Sequence, residues 1–291
     1  MRLLLTIPVL LLLPGCSGST DPLDAPAEAQ QGEVQNPGTS DQEEVDLPDE
    51  YPSPDEWKHA TKQQAARAKR SFLELARRKA PVYPGPLFVN DDAEVKPQTA
   101  QDAARRLMIL WAVALRGEGI PKEEARGIID KVELWKYVSP DEKKFLDDPK
   151  PSEELSQENV WRLECVWVLL WALGDVEQLD WPTGMCDVKT LAEFMNGYED
   201  DVEFVSKAKL RPVAELLNAQ DLTMRIHWAV RDAALHGSGA VPEGLDWNDE
   251  ADFLPVNLSP SVGVVEERHR VLNWLVNFLS PRDWDHVDTP T

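Results

Sequence analysis

Every position from Cys165 to Leu173 is apolar, and Trp161, Trp167 and Trp171 fall in or just ahead of this run. A helix that is apolar on all sides belongs in the middle of a core. The run is too short to cross a bilayer, which takes about 20 apolar residues. It is also too long and too rich in Leu and Trp for a strand. The pattern predicts a central helix opened at Pro151-Ser152 and stopped at Gly174. Around it the helical period of apolar positions recurs. Thr99-x-x-Asp102 caps a helix through Leu107–Trp111, which Gly117 and Gly119 stop. Pro121 opens a helix to about Trp135, and Ser139-Pro-Asp-Glu142 is the start signature of another, with Pro at its first position. Further helices are expected over Asp187–Asn196, Val202–Lys209, Pro212–Leu235 and Val262–Leu279, the last opened by Ser259-Pro260 and closed by Pro281. No strand alternation is sustained, and the one place for a hairpin is Pro81–Val95. The fold class is all-α, a single multi-helix domain around a central apolar helix.

The first residues carry a different pattern. Arg2 precedes the apolar run Leu3–Leu13, which is of signal-peptide length and ends in Leu13-Pro14-Gly15-Cys16. This resembles the lipobox of bacterial lipoproteins, in which the cysteine is acylated and becomes the new N-terminus. It implies a signal peptide over 1–15, lipid attachment at Cys16 and a membrane partner. Ser17 lacks the acid that would resemble an inner-membrane retention signal, so the outer membrane is favoured where there are two. The alternative is an ordinary secretory signal with an incidental cysteine.

Charge sets the next stretch apart. The chain has a formal net charge of −22, and Ser17–Glu56 holds twelve acids, six prolines and no Lys or Arg. Such a stretch buries too little apolar surface to offset its ordering entropy, so residues 16–56 are expected to be a disordered tether. The domain then covers 57–291. Its first stretch, Trp57–Ala80, has eight Lys and Arg against Glu74 alone, with Trp57, Phe72 and Leu75 on a helical stripe. The stripe is mostly Ala and is expected to pack inward; anionic lipid or the acidic tether are the other partners for this helix. The overall acidity excludes a nucleic-acid partner, which needs clustered basic residues. With 11 Trp and 42% hydrophobic residues the chain can bury a sizeable core.

Five blocks, Trp161–Gly174, Cys186–Val188, His227–Ala233, Glu267–Leu275 and Trp284–Thr291, together with Lys207–Arg211 and the Pro81–Tyr83 turn, resemble the family DUF4272, a domain of unknown function. The resemblance spans about residues 65–291. It implies the extent of the domain and brings no activity, substrate or cofactor. The signal and tether are additions to the family pattern, and the loop Gly237–Leu258 is longer than its usual form.

Candidate chemistry lies where charges enter apolar helices. Arg162 and Glu164 begin the central run, Arg231 and Asp232 sit in the long helix, and Glu266, Glu267, Arg268 and His269 lie in the last one. A buried charge must be paired, so this polar cluster is either a set of salt bridges, with Glu158 and Arg162 one turn apart as a local pair, or a charged pocket. Glu266-x-x-His269 has metal-ligand spacing but occurs once, and His227 and His286 could join it only by the accident of tertiary packing. Asp246-x-Asn248-x-Glu250 imitates a calcium loop that lacks its Gly and its last Glu. Neither supports a metal, and no cofactor is expected. Cys165 reads as core filler. Cys186 precedes a helix that could activate it, and an exported chain could join the two as a disulfide. Trp247 and Trp284, in loops, are the tryptophans that could line a binding surface. No nucleophile elbow, phosphate-binding loop or His-Glu-x-x-His is present.

These features favour a non-catalytic binding or scaffolding module of the cell envelope, with room for a protein partner. The alternatives are an enzyme that uses the Arg/Glu cluster and an immunity-like protein that binds a toxin. Growth with an alkyne fatty acid is expected to label the wild-type chain and leave Cys16→Ala unlabelled. Label that persists in the variant would exclude Cys16 as the anchor.

Overall fold

In the computed structural model, residues 53–78, 80, 82–83, 85–182, 184–198, 201–236, 259–279 and 283–291 are described, together with Leu47 and Tyr51. Cys16, the tether up to Asp46 and the loop Gly237–Leu258, with Trp247 and the calcium-like acids, lie outside them. The described residues are helical, with no strand among them: α1 Lys62–Arg77, α2 Ala100–Gly117, α3 Lys122–Lys131, α4 Pro140–Asp147, α5 Glu153–Val160, α6 Arg162–Leu173, α7 Val188–Gly197, α8 Asp201–Lys207, α9 Val213–His236 and α10 Ser259–Leu275. Short 3-10 turns stand at Pro54–Glu56 and Trp284–His286.

Side-chain caps set the helix starts. Thr61 and Ser139 form full capping boxes with Gln64 and Glu142, while Thr99, Ser152 and Asp187 each accept first-turn amides. Left-handed residues set several ends. Gly119 and Gly174, each with φ 96°, close α2 and α6 with paired backbone bonds of the Schellman kind. Glu133 and Asn277 adopt the same conformation at φ 53° and 59°. They stop α3 short of Trp135 and α10 short of Leu279, where the sequence pattern alone carries both helices further.

The central run forms the buried middle of the fold, with every residue from Cys165 to Ala172 buried. α6 packs between α2 and α10; α9 covers α10, and α1 covers α9. The expected single helix from Ser152 to Gly174 is two helices, because its halves need different surroundings. Glu153–Val160 is polar and stays near the surface beneath α2, whereas Arg162–Leu173 enters the core. The break is a tight turn at Trp161, whose carbonyl accepts from the Glu164 amide at 3.0 Å. Two glycines admit the bend. A Cβ on Gly117 would come within 2.7 Å of the Ser156 carbonyl oxygen, and one on Gly263 of α10 would press on the Trp161 ring at 3.3 Å.

Packing begins ahead of the expected domain start at Trp57. Tyr51 is buried, its hydroxyl donates to the Ala80 carbonyl at 2.8 Å, and its ring meets Phe72. α1 itself starts at Thr61 and not at Trp57, and its apolar stripe packs inward against α9. The stretch from Leu87 to Asn90 belongs to no helix or strand. Side chains of neighbouring helices take its carbonyls instead: Arg225 at Leu87, Gln64 at Val89 and Arg67 at Asn90.

Gly117→Ala is expected to lower stability by about 1–3 kcal/mol in urea denaturation, because the new methyl meets backbone that cannot swing away. Gly127→Ala is the control. Nothing lies within 4 Å of a Cβ there, inside α3. It is expected to raise stability by up to about 1 kcal/mol through helix propensity. Equal effects of the two changes would contradict the packing described for the α2–α5 crossing.

Candidate functional site

Glu164 lies on the first turn of α6, and the apolar residues around it carry it wholly out of solvent. An isolated carboxylate there would cost several kcal/mol. Arg268 of α10 meets it, Nε to Oε2 at 2.9 Å, and the Cys186 amide donates to its other oxygen. Burial pushes the carboxyl up from the ordinary range, and Arg268 and the Cys186 amide pull against that. Arg268, 3% exposed, also donates through Nη1 to the Asp180 carbonyl at 2.6 Å. The indole of Trp167 donates to Asp180 Oδ1 at 3.0 Å. Next to Arg268 on α10, Glu267 pairs with Arg162 and accepts the Cys165 thiol at 3.0 Å. Arg162 thus reaches across to α10, and its expected local partner Glu158 adds only a smaller attraction.

The proposed polar cluster therefore divides. Arg162, Glu164, Glu267 and Arg268 come together as two interhelical salt bridges. Arg231 is exposed and Asp232 half-buried, although Ala229 and Val230 just before them are buried. The buried ion pair of α9 lies earlier, Asp221 with Arg225, at 2.9 Å, and Ser71 of α1 donates to Asp221 at 2.6 Å.

The other candidates also find their places. Cys165 and Cys186 are free thiols, both raised by burial. Glu266 is exposed while His269 is buried, so the two do not share a site. His269 instead meets His227, Nδ1 to Nδ1 at 2.9 Å, with burial pulling the pair down to about 3 and about 4. Both rings are thus neutral near pH 7, one donating and one accepting. His286 is exposed beside Asp283. Among the described residues no group of three or more His, Cys, Asp or Glu is placed to hold a metal ion. Trp284 does not line a surface: it is buried, edge-on to Trp274 at 5.9 Å, with Arg106 at 5.0 Å.

The open site lies elsewhere. One face of α9, carrying Glu215, Ala219, Leu222 and Ile226, floors a cleft of about 520 Å³. At 1.5 Å per residue that floor is about 16 Å long. α1 and its C-cap form one wall with Arg70, Glu74 and Arg78, spaced four residues apart, and the 177–182 segment forms the other. Two arginine–tryptophan contacts frame it. Arg78 lies 4.3 Å from the Trp181 ring centre and Arg211 lies 5.2 Å from that of Trp171. Arg211 and Arg268 hold the second wall by its carbonyls, Arg211 at Val176 and Glu177 and Arg268 at Asp180.

A family model for a domain of unknown function, DUF4272, matches residues 67–287. The chain belongs to the DUF4272 family. The matched span runs from α1 through the Trp284–His286 turn, so the DUF4272 domain includes both salt bridges and all walls of the cleft. No curated protein and no solved structure matches the chain.

Sequence reasoning missed the cleft residues of the DUF4272 domain. The signal in α1 was present, since Arg70, Glu74 and Arg78 share one helix face at four-residue spacing. Nothing in the sequence marks Trp181 or Arg211 as their neighbours.

Arg268→Met is expected to cost about 3–5 kcal/mol, because it strands Glu164 without its buried partner. Arg231→Met, at an exposed position, is expected to stay within about 0.5 kcal/mol of wild type. Chemical denaturation of the two variants checks this, and a well-folded Arg268→Met chain would overturn the structural role given to the pair.

Proposed function

We propose that this DUF4272 chain is a membrane-anchored binding module of the cell envelope, and that the cleft between α1, α9 and the 177–182 segment is where it binds. The cleft itself is the observation that carries the reading. Its volume falls in the range of small-molecule sites, about 300–1,000 Å³, and it joins an apolar floor to a few placed polar groups. Its second wall is fixed by side-chain bonds to backbone, so little ordering is needed when a ligand enters.

The charged groups in the core support binding over catalysis. Arg162, Glu164, Glu267 and Arg268 are engaged with one another and with Asp180, which leaves no free acid, base or nucleophile among them. The thiols of Cys165 and Cys186 are buried and raised, the opposite of an activated nucleophile. The N-terminal apolar run and Cys16 support the anchor, and the acidic stretch behind them supports a solvated tether that holds the domain off the membrane.

A thermal-denaturation screen of small amphipathic molecules tests the binding reading. Compounds that raise the wild-type midpoint by several degrees are expected to have no effect on Leu222→Trp or Ala219→Trp, which fill the cleft floor. Stabilisation that survives in both filled variants would remove the cleft as the binding site.

A further inference from the structure

The geometry points to an organic anion with an apolar body as the class of ligand for this cleft, its acid group held by Arg70. The inference rests on the cleft being a binding site and goes further by naming what fits it.

The cleft has four basic and four acidic residues in its lining, so their count alone selects nothing. Their pairings do. Glu215 is joined to Arg211, and Glu74 is joined to Arg77, which is not part of the cleft. Asp180 faces Arg268 and accepts from Trp167. Arg211 and Arg268 are engaged by acids and carbonyls. Arg70 has no partner among the described residues, and it is exposed on the α1 wall. Beside it, α1 is followed by Arg78, stacked on Trp181. Opposite them only Glu177, exposed at the rim, has no basic partner in a salt bridge among the described residues.

A second observation selects a hydrogen-bonding head over a plain hydrocarbon. Thr223 is 9% exposed and lines the cleft, yet its hydroxyl has no hydrogen-bond partner among the described residues. A serine or threonine in a helix usually turns its hydroxyl to a backbone carbonyl or to water; this one opens to the cleft, where an entering polar head can take the place of water. Below the polar groups the floor of Ala219, Leu222 and Ile226, with the Trp171 and Trp181 rings, suits an aromatic or branched apolar body. The wider field agrees. Residues 57–80 carry eight Lys and Arg and one acid on a chain of net charge −22, so an anion is drawn to the α1 wall.

The test compares two dyes of one shape on the full chain in lipid nanodiscs, with empty discs as the blank. Anilinonaphthalene sulfonate carries the acid, and phenylnaphthylamine is the same ring system without it. Energy transfer from tryptophan reports occupancy. The sulfonate is expected to bind saturably and about tenfold more tightly than the neutral dye, the ratio of one charge-assisted hydrogen bond. Arg70→Gln, at an exposed and unpaired position, keeps the fold and is expected to bring the sulfonate down to the level of the neutral dye, whose own binding stays put. Equal affinities of the two dyes, or sulfonate binding unchanged in Arg70→Gln, overturn the anion inference while leaving a binding cleft. Absence of transfer from both dyes, or transfer undiminished in Leu222→Trp, overturns the cleft as a site and this inference with it.

Discussion

Glu164 is a carboxylate in the one place where the fold least tolerates a charge, and its pairing with Arg268 is the constraint on which the rest depends. α6 is apolar on nearly every side and could sit in the core at many rotations and depths, because hydrophobic burial has no direction. The Glu164–Arg268 bond admits one. It sets α6 against α10, brings the Cys186 amide to the same carboxylate, and through the second hand of Arg268 holds the carbonyl of Asp180. Glu267 and Arg162 repeat the lock one residue along α10. Two adjacent residues on one helix, bonded to two on another, fix rotation as well as translation.

The same device recurs at the other seams. Asp221 and Arg225 of α9 are both buried and reach Ser71 of α1 and the Leu87 carbonyl. Arg106 of α2 grips Glu142 of α4 with both carboxylate oxygens and rests on Trp284. Such pairs contribute little net stability compared with apolar residues of the same shape, since desolvation offsets most of the attraction. What they supply is a large penalty for the wrong arrangement: a half-made pair leaves a buried ion alone. Around a central helix that is apolar on nearly every side, that penalty is what distinguishes one packing from its neighbours.

This division explains what was legible in the sequence. Element types, caps and the buried central run follow from local chemistry, and Thr99, Ser139, Ser152 and Gly174 act as their neighbours in sequence say they should. The break at Trp161 was hidden because it depends on Gly117 and Gly263, which belong to other helices. Arg162 has Glu158 one turn away, yet its partner is Glu267, more than a hundred residues on. Arg231 and Arg225 look alike in the sequence of α9. Yet Arg225 is interior and Arg231, six residues on and on another side of the helix beside buried Val230, is at the surface. A cleft is harder still to read, being a place where three elements fail to meet, and no single segment carries its signature.

The cleft and the salt bridges are nonetheless one construction. Arg268 touches Glu164 inside the core and Asp180 at the cleft wall, so the same side chain that fixes α6 also fixes the surface a ligand would meet. Arg211 does the like from the other end, bonding the Trp171 carbonyl at the end of α6 and the wall carbonyls of Val176 and Glu177. A wall held from behind in this way keeps its shape whether or not the cleft is filled. The binding energy of a guest then goes into the contacts it makes and is not consumed in ordering the site. That physical link accounts for why a domain with so many charges in its core can still present, at its surface, an apolar floor with a few unengaged polar groups above it.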